Sequence, residues 1–449
     1  MRERLQHKLQ NRHIQMIALG GIIGTGFFIG SASAINNTGV SLLLAYLLGG
    51  ALMYGIMRIL GEMTVYAPNS GSFVDYAYKY LGENWGFVTG WNSWLLFSTS
   101  CMLEATGASY LLDYWVSIPH WISCTVILAT SSVLNLLTIK FFGEMEFWLA
   151  GIKVVFIQVI ILAGIYLLCF DSNIHSTMIS NLHIYSQPDV IFTHGVSGFM
   201  QTISIICFAF SGGEFISVAA GEAANPKKDI PKAINGVVSK IVFFYAATIT
   251  IILLIYPFNQ IAYKVNPFAE VFGRLGFTNS ASLINFVTLV ATLSALNSIM
   301  YVASRFVYKL SLNRQAPSAL GMQDRRGVPV TAVSATTLFA MTAIIANYVI
   351  REHLLEYLFA IITIALLINW IIIIFSHLAF RKKMARQGKV LTYKSPWFPY
   401  LNIGLIVVLF YILFEVALNL KFMGGVYLPV IWVGCLYLCY LIWRRQRLS

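Results

Sequence analysis

Ala18-Leu19-Gly20-Gly21-Ile22-Ile23-Gly24-Thr25-Gly26-Phe27 and Phe208-Ala209-Phe210-Ser211-Gly212-Gly213-Glu214-Phe215 decide the fold of this 449-residue chain. Each stretch lies in an apolar run of membrane-spanning length, and each crowds glycine into what would otherwise be plain helix. Glycine costs about 1 kcal/mol relative to alanine in a helix interior, so the two clusters mark places where a spanning helix unwinds. Unwound backbone at membrane depth is tolerated only where protein buries it or it lines a cavity. A lone Gly-x-Gly serves close helix packing equally well. Gly24-Thr25-Gly26 also lacks the preceding strand and the later acid that a dinucleotide loop needs. The recurrence of the pattern in a second span separates these readings.

Around the two stretches the chain is 58% hydrophobic and only 11% charged, whereas soluble domains carry roughly a quarter charged residues. Lipid is therefore the solvent for much of it. Apolar runs of crossing length recur at about 14–36, 39–61, 85–112, 121–140, 146–169, 195–223, 236–257, 279–310, 330–349, 354–378, 398–420 and 424–443. No long soluble segment remains, so residues 1–449 read as a single membrane domain in contact with membrane lipids. The net charge of +12 invites a nucleic-acid partner, and its distribution excludes one. With the N-terminus inside, 25 of the 30 Lys and Arg residues fall in inner segments, leaving Lys264, Arg274, Arg351 and Lys421 outside and Lys153 in mid-membrane. This positive-inside asymmetry places both termini in the cytoplasm of a multi-pass inner-membrane protein. The basic start and Ser31-Ala32-Ser33-Ala34 imitate a cleaved leader, but the apolar run is too long for one, and an uncleaved first span is expected. The six cysteines lie in or at the ends of apolar runs without metal-ligand spacing.

The glycine clusters fall in spans 1 and 6. An odd offset of five runs these helices in opposite directions, and matched interruptions in opposed helices point to an inverted-repeat transporter with its site at the midplane. Spans 1–5 (14–169) and 6–10 (195–378) form the repeats, with spans 11–12 (398–443) peripheral. Half-helices beginning after a break aim N–H groups into the site, and those ending at it offer unpaired carbonyls. Donors and acceptors together suit a zwitterion. Gly24, Thr25 and Gly26 are the expected carboxylate site, and the carbonyls of Ile22, Phe208 and Ser211 the amine site, with Phe210 and Gly212 completing the span 6 break. The expected cargo is thus a small zwitterion, such as an amino acid.

Further blocks follow in order: His13-Ile14-Gln15, Leu60-Gly61-Glu62-Met63, Phe142-Gly143-Glu144-Met145-Glu146-Phe147, Ala220 to Ala233 with its Asn225-Pro226-Lys227-Lys228-Asp229-Ile230-Pro231 core, Tyr301-Val302-Ala303-Ser304-Arg305 and Gly327-Val328-Pro329. Together with the two glycine clusters, they resemble bacterial amino acid permeases of the amino acid–polyamine–organocation superfamily. The likeness is greatest to the amino acid transporter group that carries aromatic, lysine, proline and similar amino acids. The resemblance covers essentially the full length. It implies an all-α, leucine-transporter-type 5+5 inverted repeat of twelve helices, with helices 1 and 6 discontinuous. It also implies alternating access, usually by proton symport, with no cofactor beyond the proton gradient. It further implies that Phe208 is an aromatic gate, Glu214 a coupling acid in span 6, and Lys153 a stand-in for the sodium ion of sodium-coupled relatives.

Ionisable groups inside a membrane are costly and face a partner or cavity. Glu104, deep in span 3, is either a proton carrier and substrate contact or a protonated acid bonded to a neighbouring helix. Lys153 is too deep to snorkel and is expected to pair. Glu214 and Glu222 are gating candidates, while Pro226 and Pro231 are expected to end and redirect span 6. Asn297 and Asn369 either line the site or join helices. Glu415 pairs locally or contacts another copy, and His175, His183 and His194 belong to the longest outer loop. An exchanger of amino acids or amines on the same fold is the second reading, favoured by counterflow independent of a proton gradient. No nucleophile–base pair or metal motif supports an enzyme.

Overall fold

In lipid every backbone N–H and C=O needs a partner inside the protein, and a helix supplies it within one segment. The computed structural model describes residues 11–68, 72–220, 225–256, 268, 280–349, 354–418 and 423–448, and among these it contains helices and no strand. In order they are α1 (Asn11–Ile22), α2 (Thr25–Phe28), α3 (Gly30–Thr38), α4 (Leu42–Tyr66), α5 (Phe73–Leu81), α6 (Glu83–Leu112) and α7 (His120–Asn135). Then come α8 (Ile139–Phe170), α9 (Ser172–Tyr185), α10 (Pro188–Ile191), α11 (Gly195–Ala209), α12 (Phe215–Ala219) and α13 (Pro226–Ile255). The last are α14 (Ser280–Leu312), α15 (Val330–Ala340), α16 (Thr342–Val349), α17 (Leu354–Arg386), α18 (Tyr400–Leu418) and α19 (Met423–Leu448).

Eight of the described helical stretches are long and apolar enough to cross a membrane. The other runs read from the sequence also lie on helices, and each falls short for a physical reason. The first and sixth are interrupted, α7 has only 16 residues, and α6 is long but carries polar residues all around its circumference. That polarity is absorbed locally, since Thr89, Ser93 and Ser100 hydroxyls donate to the carbonyls one turn back at Trp85, Thr89 and Leu96. Large apolar side chains such as Trp148, Leu162, Phe170, Leu338 and Ile442 are exposed on the outer surface, which places them against lipid rather than water.

The interior is built around α1, α11 and α14. α1 packs on α8, α14, α13 and α12, whereas α11 packs on α4, α3, α17 and α18. α14 lies along α6. Of the spanning windows, 72% is buried in α17 and 67% in α14, against 28% in α18 and 17% in α19, so the last two helices cover one side only.

Three local readings need correction. Pro231 does not end a helix; it sits inside α13, which starts at Pro226 in the helix-compatible first position. The outer segment around His175 and His183 is not a loop but helix α9, started by the Asp171 carboxylate accepting from Asn173 and Ile174 N–H. The fifth run does not start at about 146: the whole Phe142–Phe147 block belongs to α8, which begins at Ile139 after the Thr138 cap. Glu222 lies outside the described residues.

At one end of the bundle Glu62 of α4 is fully buried against α17 and the segment before α18. It forms an ion pair with Arg381 at 2.6 Å, lies 3.2 Å from His377 Nε2, and accepts from Ser395 N and Oγ at 2.6 and 2.9 Å. Removing one partner of a buried pair costs roughly 3–5 kcal/mol. Glu62→Leu, which strands Arg381 and His377, is therefore expected to lower the thermal unfolding midpoint in detergent well below that of the parent. An unchanged midpoint would show that the clasp adds nothing.

Candidate functional site

The first helix breaks at its glycines because side chains replace its ladder of hydrogen bonds. Gly24 is extended (φ −143, ψ −150) between α1 and α2. The carbonyls of Gly20 and Ile23 accept from Lys153 Nζ at 2.6 and 3.0 Å, and Ile22 O accepts from Tyr245 Oη at 3.2 Å. The Thr25 N–H donates to Glu104 Oε1 at 3.3 Å, and Thr25 Oγ1 donates to the same oxygen at 2.9 Å. A Cβ on Gly24 would stand 2.7 Å from Glu104 Oε1 and 2.8 Å from Ala295 Cβ, so glycine is what admits the carboxylate.

The second break follows α11. Gly212 has φ +108, a region that favours glycine, and its N–H donates to Glu214 Oε2 at 2.9 Å. Glu214 Oε1 accepts from Trp370 Nε1 of α17, so one carboxylate ties the turn to a neighbouring helix. The Ala209 carbonyl accepts from the same Tyr245 hydroxyl that holds Ile22. The breaks touch: a Cβ on Gly212 would lie 3.1 Å from Gly21 C and 3.2 Å from Ile22 N. A Cβ on Gly26 would lie 3.0 Å from the Phe208 ring and 3.1 Å from Ala209 Cα.

Between them is a small enclosed cavity lined by Gly21, Ile22, Gly26, Phe97, Ser100, Glu104, Phe208, Ser211, Phe215 and Ile299. Its volume of about 10 Å³ is close to the room one water needs, so the space as it stands is too small for an amino acid. Of the residues expected from the sequence, Ile22, Gly26, Phe208, Ser211 and Glu104 line this space. Gly24, Thr25 and Gly212 shape the backbone beside it. Phe210 instead turns away toward Tyr46 and Tyr245, with ring centroids 6.2 and 5.5 Å apart. Phe208 meets Phe359 edge to face at 5.2 Å. Lys153 finds carbonyls rather than an acid within ion-pair distance among the described residues. Asn297 bonds Asn135, and Asn369 bonds Asn92 and Ser93, so both join helices. Glu415 faces Tyr411 one turn earlier.

Five lining residues, Gly21, Phe97, Ser100, Phe215 and Ile299, were not among the expected site residues. Helical spacing carried the signal for Ser100, one turn from Glu104. Phe215 was legible only as the residue closing the second glycine cluster.

Because Gly26 has no room for a side chain, Gly26→Leu is expected to abolish amino acid uptake while membrane insertion persists. Overpacking of this kind costs about 1–3 kcal/mol. Parent-level uptake by an inserted Gly26→Leu protein would remove the site from this contact.

The amino acid permease family profile matches residues 13–449. The chain is 37% identical over 440 residues to the aromatic amino acid transport protein AroP of Escherichia coli K12, covering 98% of this chain and 96% of that protein. It is 36% identical over 441 residues to AroP of Salmonella typhimurium LT2, covering 97% and 96%. It is also 34% identical over 443 residues to the uncharacterized transporter YdgF of Bacillus subtilis 168, covering 98% and 96%. A match of this extent, on a helical membrane protein with two touching helix breaks, is to transporters and not to enzymes: the chain belongs to the amino acid permease family.

Proposed function

We propose that the chain is a secondary active permease that imports an amino acid across the cytoplasmic membrane by alternating access, coupled to proton entry. The observation that carries this reading is the Glu104 carboxylate on the Thr25 N–H and hydroxyl. These donors already hold a carboxylate in the place where a substrate carboxylate is to be held. Two anions cannot share them, so an arriving amino acid takes Thr25 when Glu104 accepts a proton and lets go. Substrate and proton then enter the closed site together. The ammonium group is met by carbonyls at the breaks, Ile22, Phe208 and Ser211 being the candidates, while Phe97, Phe208, Phe215 and Ile299 offer apolar faces to the side chain.

Those faces, with the AroP likeness, favour an aromatic amino acid. Phe208 acts as the gate over the cargo. Glu214, which holds both Gly212 and Trp370, transmits closure of the second break to α17. The proposed frame is twelve spans in two inverted repeats of five, 14–169 and 195–378, with α18 and α19 outside them and both termini in the cytoplasm. An exchanger on the same fold uses the same contacts without net proton movement.

Proteoliposomes loaded at alkaline pH and diluted into acid test both parts. Labelled phenylalanine is expected to accumulate above its outside concentration, with tyrosine and tryptophan competing better than the other amino acids. Counterflow without any response to the pH gradient would replace symport by exchange. Thr25→Val, which removes a hydrogen bond to a charged group worth about 1.5–3 kcal/mol, is expected to raise KM about tenfold or more. An unchanged KM would remove Thr25 from the carboxylate.

A further inference from the structure

Glu146 is fully buried on α8, seven residues from Lys153 and hence on the same face two turns away. The heads of both side chains converge on Gly20. Lys153 Nζ donates to its carbonyl at 2.6 Å, and Glu146 Oε1 lies 2.0 Å from the position a Cβ on Gly20 would take. Glu146 Oε1 also accepts from Ser294 Oγ of α14 at 2.6 Å. Its second oxygen, Oε2, makes no hydrogen bond of good geometry, although the Ser298 hydroxyl and the Asn297 amide stand close enough to interact with the carboxyl. A buried carboxyl oxygen left open among polar groups is a place for a proton.

Charge balance makes that proton necessary. Lys153 faces two acids electrostatically, Glu146 and Glu104, and all three side chains are buried. One ammonium balances one carboxylate, and a second carboxylate would be an uncompensated buried charge, which costs several kcal/mol. Among the described residues, the remaining neighbours supply no further cation. α14 presents Ser294, Asn297 and Ser298, and α7 presents Asn135, which is bonded to Asn297. α13 presents the Tyr245 hydroxyl toward Glu104. On α1 the nearest charge is Arg12, exposed and paired with Glu144 at 3.2 Å.

We propose that Glu146 is a second coupling carboxyl, sharing Lys153 with Glu104 so that the two acids hold one exchangeable proton between them. When Glu104 is the neutral acid, the Lys153 ammonium is balanced by the Glu146 carboxylate. When the proton leaves the Glu104 O–H, the Glu146 carboxylate gains one and the charge count is unchanged. Glu146 lies two residues from the exposed Glu144, so it is the member of the pair nearer the surface at the start of α1. This inference rests on the proton-coupled reading, and it adds the group from which the proton departs.

The test compares pH-gradient-driven accumulation of labelled phenylalanine with its counterflow at equal pH. The parent protein must first accumulate phenylalanine with the gradient; if it does not, the symport reading fails regardless of Glu146. Given coupling, Glu146→Gln is expected to lose accumulation tenfold or more while counterflow stays within about twofold, and Glu146→Asp to restore part of it. Ser294→Ala, which keeps the charge and removes only the hydrogen bond, is expected to shift the pH profile of accumulation and leave counterflow unchanged. Parent-like accumulation by Glu146→Gln, equal loss of accumulation and counterflow, or a Ser294→Ala profile superimposed on the parent's would each overturn the proposal.

Discussion

The contact on which the rest depends is backbone against backbone: Gly212 of the second break pressed on Gly21 and Ile22 of the first, with no side chain between them. Two interrupted helices in the same membrane would each expose peptide groups that lipid cannot satisfy, at several kcal/mol for every group left alone. Here the freed groups are claimed one by one, by Lys153, Tyr245, Glu104 and Glu214. Tyr245 is the joint between the halves, because its single hydroxyl bonds to the last carbonyl region of each broken helix, at Ile22 and Ala209. Glycine at 21, 24, 26 and 212 is thus a steric requirement. The charged side chains nearby are the partners that let the backbone stay unwound.

That arrangement explains why so many ionisable groups sit where lipid should exclude them. Lys153, Glu104 and Glu214 are each positioned on a backbone group that a continuous helix would have satisfied internally. In the proposed mechanism the substrate carboxylate replaces Glu104 on Thr25, so structure and transport would share the same bonds.

The glycine clusters, the acid at 214 and the lysine at 153 were legible from sequence because their oddity is local: a breaker or a charge inside an apolar run. Gly212 and Gly24 were legible as breaks, but what each one touches was not, since contact between residues nearly two hundred positions apart leaves no trace in either run. Phe210 shows the limit clearly. It sits two residues from Phe208 in the same cluster, yet faces Tyr46 and Tyr245 instead of the cavity, because Phe210 N still bonds to Ile206 O in helical register and residues two apart on a helix point to nearly opposite faces. Glu146 was hidden for a different reason. It was read at the edge of an apolar run, where an acid is unremarked, but α8 begins seven residues earlier at Ile139 and carries it inside. Helix α6 was expected to cross despite its polarity, and the hydroxyls bonding to their own helix account for that polarity.

A structure determined with a bound amino acid tests the central claim most directly. The account predicts the substrate carboxylate on the Thr25 N–H and hydroxyl, Glu104 withdrawn from both, and the two glycine breaks still in contact. An amino acid bound elsewhere while Glu104 keeps its hold on Thr25, or a first helix with continuous hydrogen bonding through Gly24, would contradict it.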